Sequence, residues 1–261
     1  MGEQKVAVIF VGFKDKPFSF PFENSLFYRT MTREDIEKTF LNVIDYYRKI
    51  SYGKTELKFD FFGPYNVDLK SSCNNDFYSS ALGEAHINIP SSSHFPPQYF
   101  YERVLFVFAG PGGCPGFGGI GKGGAFSMAR IDRDYSINDD IIAHELGHNF
   151  GLYHANKFVD CRVINVILNR KSYSCSSDEY GDFTDVMGNS YRDHFNAPHK
   201  ETLDWLLPSQ IQNVQSSGIY RILPLETSTE GVQALILNAF PPGIPLEPKG
   251  VFHPLKLYIE Y

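Results

Sequence analysis

The segment HELGHNFGLYH at residues 144–154 constrains this chain more than any other. His144 and His148 are four residues apart, so on a helix both imidazoles project from one face, one turn apart. From there their nitrogens can converge on a single metal ion at about 2.0–2.1 Å. His154 could not join them on a continuing helix. Ten residues at about 1.5 Å each would carry it roughly 15 Å from His144. The helix must therefore stop and the chain must turn back, and Gly151 stands where a left-handed residue does this without steric penalty.

Three imidazoles on one ion leave a position for water, which is the pattern of a catalytic rather than a structural zinc site. Glu145 follows the first ligand directly and can flank the ion without binding it. Zinc lowers the pKa of its water to about 7, and a carboxylate so placed is the expected general base in attack on a carbonyl carbon. Histidines scattered by chance on a core helix are the competing reading. The glycine at seven and the third histidine at ten argue against it.

The helix carrying the motif is expected over 136–150, with Ser136 as its cap. KVAVIFVG at 5–12 reads as a strand. A helix is expected from Thr32 to Ile50, with Thr32 and Asp35 as a capping pair and Ile36, Phe40, Ile44, Tyr47 and Ile50 at helical spacing. ELKFDFFG, YERVLFVFAG and the end of the glycine-rich stretch before Ile131 read as further strands. Residues 155–186 read as irregular, and a third helix is expected near 197–206, capped by Asn196 with Pro198 in its first turn. Beyond 208, GIYRILPL, VQALILNAF and LKLYIEY read as strands, the last reaching the end of the sequence. The 16 Tyr and 23 Phe against one Trp suit β-rich packing.

The zinc motif HExxHxxGxxH resembles that of the metzincin peptidases, which also carry a Met-turn; TDVMG at 184–188 makes Met187 its counterpart. Within that group the chain is most similar to the gametolysin family, with some similarity to immune inhibitor A-type peptidases. SYGK at 51–54 followed by FFGPY, the zinc motif, EYGDFTDVMG at 179–188 and FNAPHKETLDWL at 195–206 carry the resemblance. Immune inhibitor A-type enzymes have Asp as third ligand where this chain has His154, which favours the gametolysin likeness.

The resemblance implies an α+β fold: a two-lobed catalytic domain over 1–208, with a twisted mixed sheet, active-site helix, Met-turn and C-terminal helix. A small β-rich region, 209–261, follows, with an incomplete β-sandwich as one form it could take. It implies one catalytic Zn2+ and hydrolysis of peptide bonds in extended protein substrates, with Glu145 as base and a substrate-binding sheet edge near 117–131. In astacins and serralysins a tyrosine two residues past the Met can reach the zinc. Here that position is Asn189, and Tyr191, four past Met187, is a doubtful stand-in for which a packed or exposed role is the other reading.

Other features carry less. GFGGIGKGG at 116–124 nearly matches a phosphate-binding loop, but Gly123 stands where Ser or Thr is needed for magnesium. His194 and His199 could mark a second metal, though capping or packing is the plainer role. Asp139, Asp140, Asp178, Glu179, Asp182 and Asp185 could include Ca2+ ligands, but they lack EF-hand spacing and read better as a solvated acidic surface with local caps.

A net charge of −6 with no basic, aromatic-laced cluster excludes a nucleic-acid footprint. No apolar run approaches the roughly 20 residues of a membrane span, and the N-terminus is a poor signal peptide. Cys73, Cys114, Cys161 and Cys175 allow two disulfides or free thiols; if they are disulfides, Cys161 with Cys175 is the local pairing. The expected protein is thus a monomeric, secreted or cell-surface metalloendopeptidase acting on protein or peptide, any propeptide or inhibitor lying outside this chain. The alternative is a catalytically silent zinc-binding adhesion or receptor-binding module, which would have been free to lose Glu145.

Overall fold

The computed structural model describes residues 2–24, 29–85, 101–112, 114, 117–118, 127–132, 137–167, 170–189, 194–238 and 256–260. They fall into two compact units, Met1–Tyr153 and His154–Tyr261.

The first unit is built on β1 (Gly2–Phe13), whose residues from Val6 to Phe13 are buried. An apolar run of this length, without alternation, is what a strand covered on both faces requires. Short strands β2 (Phe22–Asn24) and β3 (Arg29–Met31) pair with each other and lead into helix α1 (Arg33–Ile50). Strand β4 (Thr55–Val67), helix α2 (Tyr78–Glu84), and strands β5 (Arg103–Phe108), β6 (Phe117–Gly118) and β7 (Ser127–Asp132) follow, and helix α3 (Asp139–Asn149) closes the series. The sheet order is β4-β1-β5-β7-β6. The first four strands run parallel and β6 lies antiparallel to β7, so the sheet is mixed and predominantly parallel. Its β6 edge falls in the region where a substrate-binding edge was anticipated; residues 119–126 lie outside the described residues.

Helix α1 begins as its sequence demands. The Thr32 side chain accepts from the Asp35 amide while the Asp35 carboxylate accepts from the Thr32 amide, a complete capping box. Ile36, Phe40, Val43, Tyr47 and Ile50 form its buried stripe, each contributing about 1.5–3 kcal/mol if fully transferred from water. Val43 takes the place expected of Ile44. The Tyr47 hydroxyl crosses to donate to the Ala143 carbonyl at 2.8 Å, tying α1 to the middle of α3. The other end of α3 is held by Arg103, whose guanidinium donates to the Asn149 carbonyl and lies 3.9 Å from the Phe150 ring centre. A cation at a helix C-terminus is favourable there.

In the second unit, residues expected to be irregular form a hairpin of β8 (Lys157–Ile167) and β9 (Arg170–Asp178). The Ser-rich β9 lacks strand propensity of its own, and the β-branched run in KFVDCRVINVI supplies a partner for its backbone. Helix α4 (Ala197–Thr202) has Asn196 as cap and Pro198 in its first turn, as read from sequence, but ends earlier than 206. Strands β10 (Ile211–Asn213), β11 (Ala234–Asn238) and β12 (Lys256–Glu260) form a small sheet in the order β10-β11-β12. GIYRILPL is not a strand. Pro224 has no N–H to give a ladder, Ile219 is fully exposed, and the Leu223 amide makes a single bond to the Val232 carbonyl. The sheet is fastened to α4 through Glu260, which accepts from the Ala197 amide, and Tyr258, whose hydroxyl donates to Glu201.

Cys73 and Cys114 form a disulfide, and no described cysteine is free. The local pairing of Cys161 with Cys175 concerns side chains outside those described. No helix among the described residues is long and apolar enough to cross a membrane.

Candidate metal centre

Helix α3 starts at Asp139, three residues later than the expected 136. Asn138 caps it, its side-chain oxygen accepting from the Ile141 amide at 2.8 Å, while Ser136 lies outside the described residues. Asp139 and Asp140 in the first turn complement the positive end of the helix dipole.

The helix ends where the motif requires. Gly151 has φ +94°. Its amide donates to the His148 carbonyl at 2.9 Å, and the Leu152 amide reaches back to the Gly147 carbonyl at 3.1 Å. These two bonds make a Schellman termination, which uses up carbonyls the helix would leave open and reverses the chain. Leu152 is buried and its carbonyl lies 2.8 Å from His148 Nδ1, so the turn that ends the helix also orients the second histidine.

A Cβ at Gly151 would meet nothing within 4 Å, so substitution costs only backbone strain. Gly151→Val should lose about 2 kcal/mol, because a β-branched residue is poorly tolerated at positive φ, and Gly151→Asn should lose less. Thermal unfolding of the two variants checks this; equal melting of both with the wild type would remove the account.

Beyond the turn, one ring nitrogen from each of His144, His148 and His154 comes within 4.8 Å of the others. Among the described residues these three are the His, Cys, Asp or Glu side chains that converge in this way, and the acidic residues weighed for Ca2+ form no such group. The His144 and His148 rings lie 4.8 Å apart, edge to face. His148 and His154 each have Nδ1 engaged, the latter with Glu179 Oε1 at 2.6 Å. A ring that donates from Nδ1 keeps its lone pair on Nε2, the nitrogen left for a metal.

Glu145 is 5% exposed, and its Oε2 is buried with no hydrogen-bond partner among the described residues. Burial pushes its carboxyl up to about 8, with the Arg130 guanidinium pulling the other way. Arg130 is itself held on the Cys73 carbonyl and, at 2.7 Å, on Asn75 Oδ1.

In the second unit Met187 is fully buried, and its carbonyl accepts from the amide of Ala155, the residue after His154, at 2.9 Å. The Gly188 amide donates to the Asp185 carbonyl at 2.8 Å, closing a turn around Met187. Gly188 is needed there because a Cβ would meet the Asp182 carbonyl oxygen at 2.1 Å. Asp185 belongs to no solvated surface: it is fully buried, accepts from the Met187 and Asn196 amides, and lies 2.7 Å from His199 Nδ1. His199 is thereby committed to Asp185, and His194 Nδ1 lies 3.0 Å from Lys200 Nζ, so the two do not converge on a second metal. Burial pushes the Lys200 ammonium down to about 7, and it donates to the Leu225 carbonyl. Tyr191 lies outside the described residues.

Sequence reasoning missed Glu179, Asp185 and Arg130 as neighbours of functional groups. Only the first two carried a signal, by flanking the Met187 segment.

No protein-family model matches the chain, and no curated protein matches it. Two of the solved structures similar to it cover much of its length. One is an archaemetzincin from Methanopyrus kandleri, with TM-score 0.35 and 14% identity, covering 77% of this chain and 94% of that one. The other is a chain in a chaperone–substrate complex, with TM-score 0.37 and 13% identity, covering 76% of this chain. This chain spans only 29% of the length of that one.

Proposed function

We propose that this chain is a zinc-dependent endopeptidase of the metzincin type, most like the gametolysin family, that cuts peptide bonds in extended protein substrates. The observation carrying this reading is the convergence of three histidine nitrogens beside the buried carboxylate of Glu145. Three imidazoles without a thiolate suit zinc, and the buried Glu145 oxygen without a partner is what a site built to receive water or substrate would contain. When bound, the ion would supply Lewis acidity toward a carbonyl oxygen and toward water.

The chain's own residues supply the rest. His144, His148 and His154 would hold the ion. Glu145 accepts the proton of the attacking water and returns it to the departing amine. A divalent cation held by the three histidines would oppose the effect of burial and favour the ionised form of Glu145 that a base needs. Arg130 acts in the same direction. The Met187 turn supports the backbone next to His154, as a Met-turn does. The disulfide Cys73–Cys114 agrees with a secreted or cell-surface setting. The division into a catalytic region over 1–208 and a β-rich remainder, and action as a monomer on protein or peptide, belong to the same proposal.

The test is cleavage of a denatured protein and a peptide library, with and without a strong chelator. Cleavage should vanish with the chelator and return on adding about one equivalent of zinc. His154→Ala should lower zinc affinity by more than the roughly 10–100-fold typical of losing an outer-shell partner. One bound zinc with no cleavage of any peptide would favour the silent adhesion or receptor-binding module instead. Absence of zinc binding would sink both readings.

A further inference from the structure

We infer that Glu179 is a positioning residue for the third metal ligand, fixing the tautomer of His154 and aiming its Nε2. This rests on the metal-site reading above.

His144 and His148 are oriented by the helix that carries them, and His148 further by the Leu152 carbonyl. His154 stands on non-helical chain after the turn, where no regular backbone directs its ring. Its Nδ1 instead meets Glu179 Oε1 at 2.6 Å. A carboxylate there accepts the Nδ1 proton, leaving the Nε2 lone pair across the ring for the ion.

The next residue completes the hold. Tyr180 lays its ring over His154 with 3.8 Å between centroids and 37° between planes. To do so its backbone takes φ 61°, a left-handed conformation that bulky residues seldom adopt and that persists only where surroundings impose it. Those surroundings are visible. Strand β9 ends at Asp178, paired with Lys157 at the base of the hairpin. The Gly181 amide closes a turn onto the Asp178 carbonyl at 3.1 Å, and the Tyr180 amide donates to Asn156 Oδ1 at 3.3 Å. A Cβ at Gly181 would meet Lys157 Cγ at 2.5 Å, so the turn is packed too closely for another residue. The hairpin thus delivers Glu179 and Tyr180 together onto the edge and the face of one imidazole.

The Glu179 side chain is 65% exposed, and ion pairs at such sites add little to fold stability. That separates its role from a structural one. On the full chain, zinc affinity should be measured by competition with a chromogenic zinc indicator, alongside unfolding of the metal-free protein. Glu179→Ala should lower affinity by about 10-fold, at the lower end of outer-shell effects, with metal-free stability unchanged. Glu179→Gln should recover part of the loss, because its amide oxygen can still accept the Nδ1 proton. In a His154→Ala background Glu179→Ala should change nothing further, and the exposed control Glu230→Ala should bind like wild type. Wild-type affinity in Glu179→Ala, with a clear loss in His154→Ala, overturns the inference and leaves the metal site standing. An equal loss from Glu179→Ala in both backgrounds also overturns it. Equal affinity of wild type and His154→Ala overturns the metal site and this inference together.

Discussion

Glu145→Gln should lower kcat for peptide cleavage by about 10²–10⁴-fold while zinc stays bound at one equivalent. Glutamine has the shape of glutamate but cannot take a proton, so the variant removes the base and keeps the packing. KM should change little, because the group acts on the water rather than on substrate binding. The same variant carries a second signature in the metal-free protein. The folded-state pKa of Glu145, about 8, lies above its ordinary 4.5, so the native state binds the extra proton between those values. Stability from this group must then fall as pH rises from about 4.5 to about 8. Glu145→Gln lacks that penalty and should melt like the wild type near pH 4.5 and higher than it at pH 8. Unimpaired cleavage by the variant, with zinc content and melting verified, would refute Glu145 as the base.

Where the sequence spoke in short-range physics, it was legible. The four-residue step from His144 to His148, the glycine needed at 151 and the Thr32–Asp35 capping box all depend on neighbours within one or two turns, and each appears as expected. What depended on partners far along the chain was not. The Ser-rich β9 becomes a strand only because KFVDCRVINVI lies beside it, whereas GIYRILPL makes the Leu223–Val232 bond but no ladder among the described residues, Pro224 having no N–H to give. The disulfide from Cys73 to Cys114 spans 41 residues, a pairing that cysteine spacing alone left open. The convergence of three histidines was readable from spacing, whereas the contacts around His154 come from the hairpin and from the Met187 turn.

Asp185 shows why those supports escaped. In sequence it is one of several acidic residues in a polar stretch, and composition assigns such a residue to the surface. Its burial follows from three groups that need an acceptor at the same point: the Met187 amide at 2.6 Å, the Asn196 amide at 2.7 Å and His199 Nδ1 at 2.7 Å. Two of these lie more than ten residues away, at the start of α4 and within its first turn. The carboxylate therefore links the turn around Met187 to the cap of α4, an arrangement no local pattern announces.

Asp185→Ala should accordingly destabilise the protein by about 3–5 kcal/mol, the cost of removing one partner of a buried, hydrogen-bonded pair. Two buried amides and an imidazole would lose their acceptor at once, and water has no route to replace it at a fully buried site. A fall in Tm on the order of 10 °C follows for a chain of this size. Asp185→Asn keeps one oxygen for the Met187 amide but turns an NH2 toward donors, so its loss should be intermediate. The exposed Asp178→Ala breaks only the 3.2 Å contact with Lys157 and should stay within about 0.5 kcal/mol of wild type. The Met187 carbonyl holds the amide next to His154, so loosening the turn should also weaken zinc binding in Asp185→Ala. If that variant melts with the wild type and binds zinc equally well, the turn around Met187 does not depend on this carboxylate, and the link from α4 to His154 is broken.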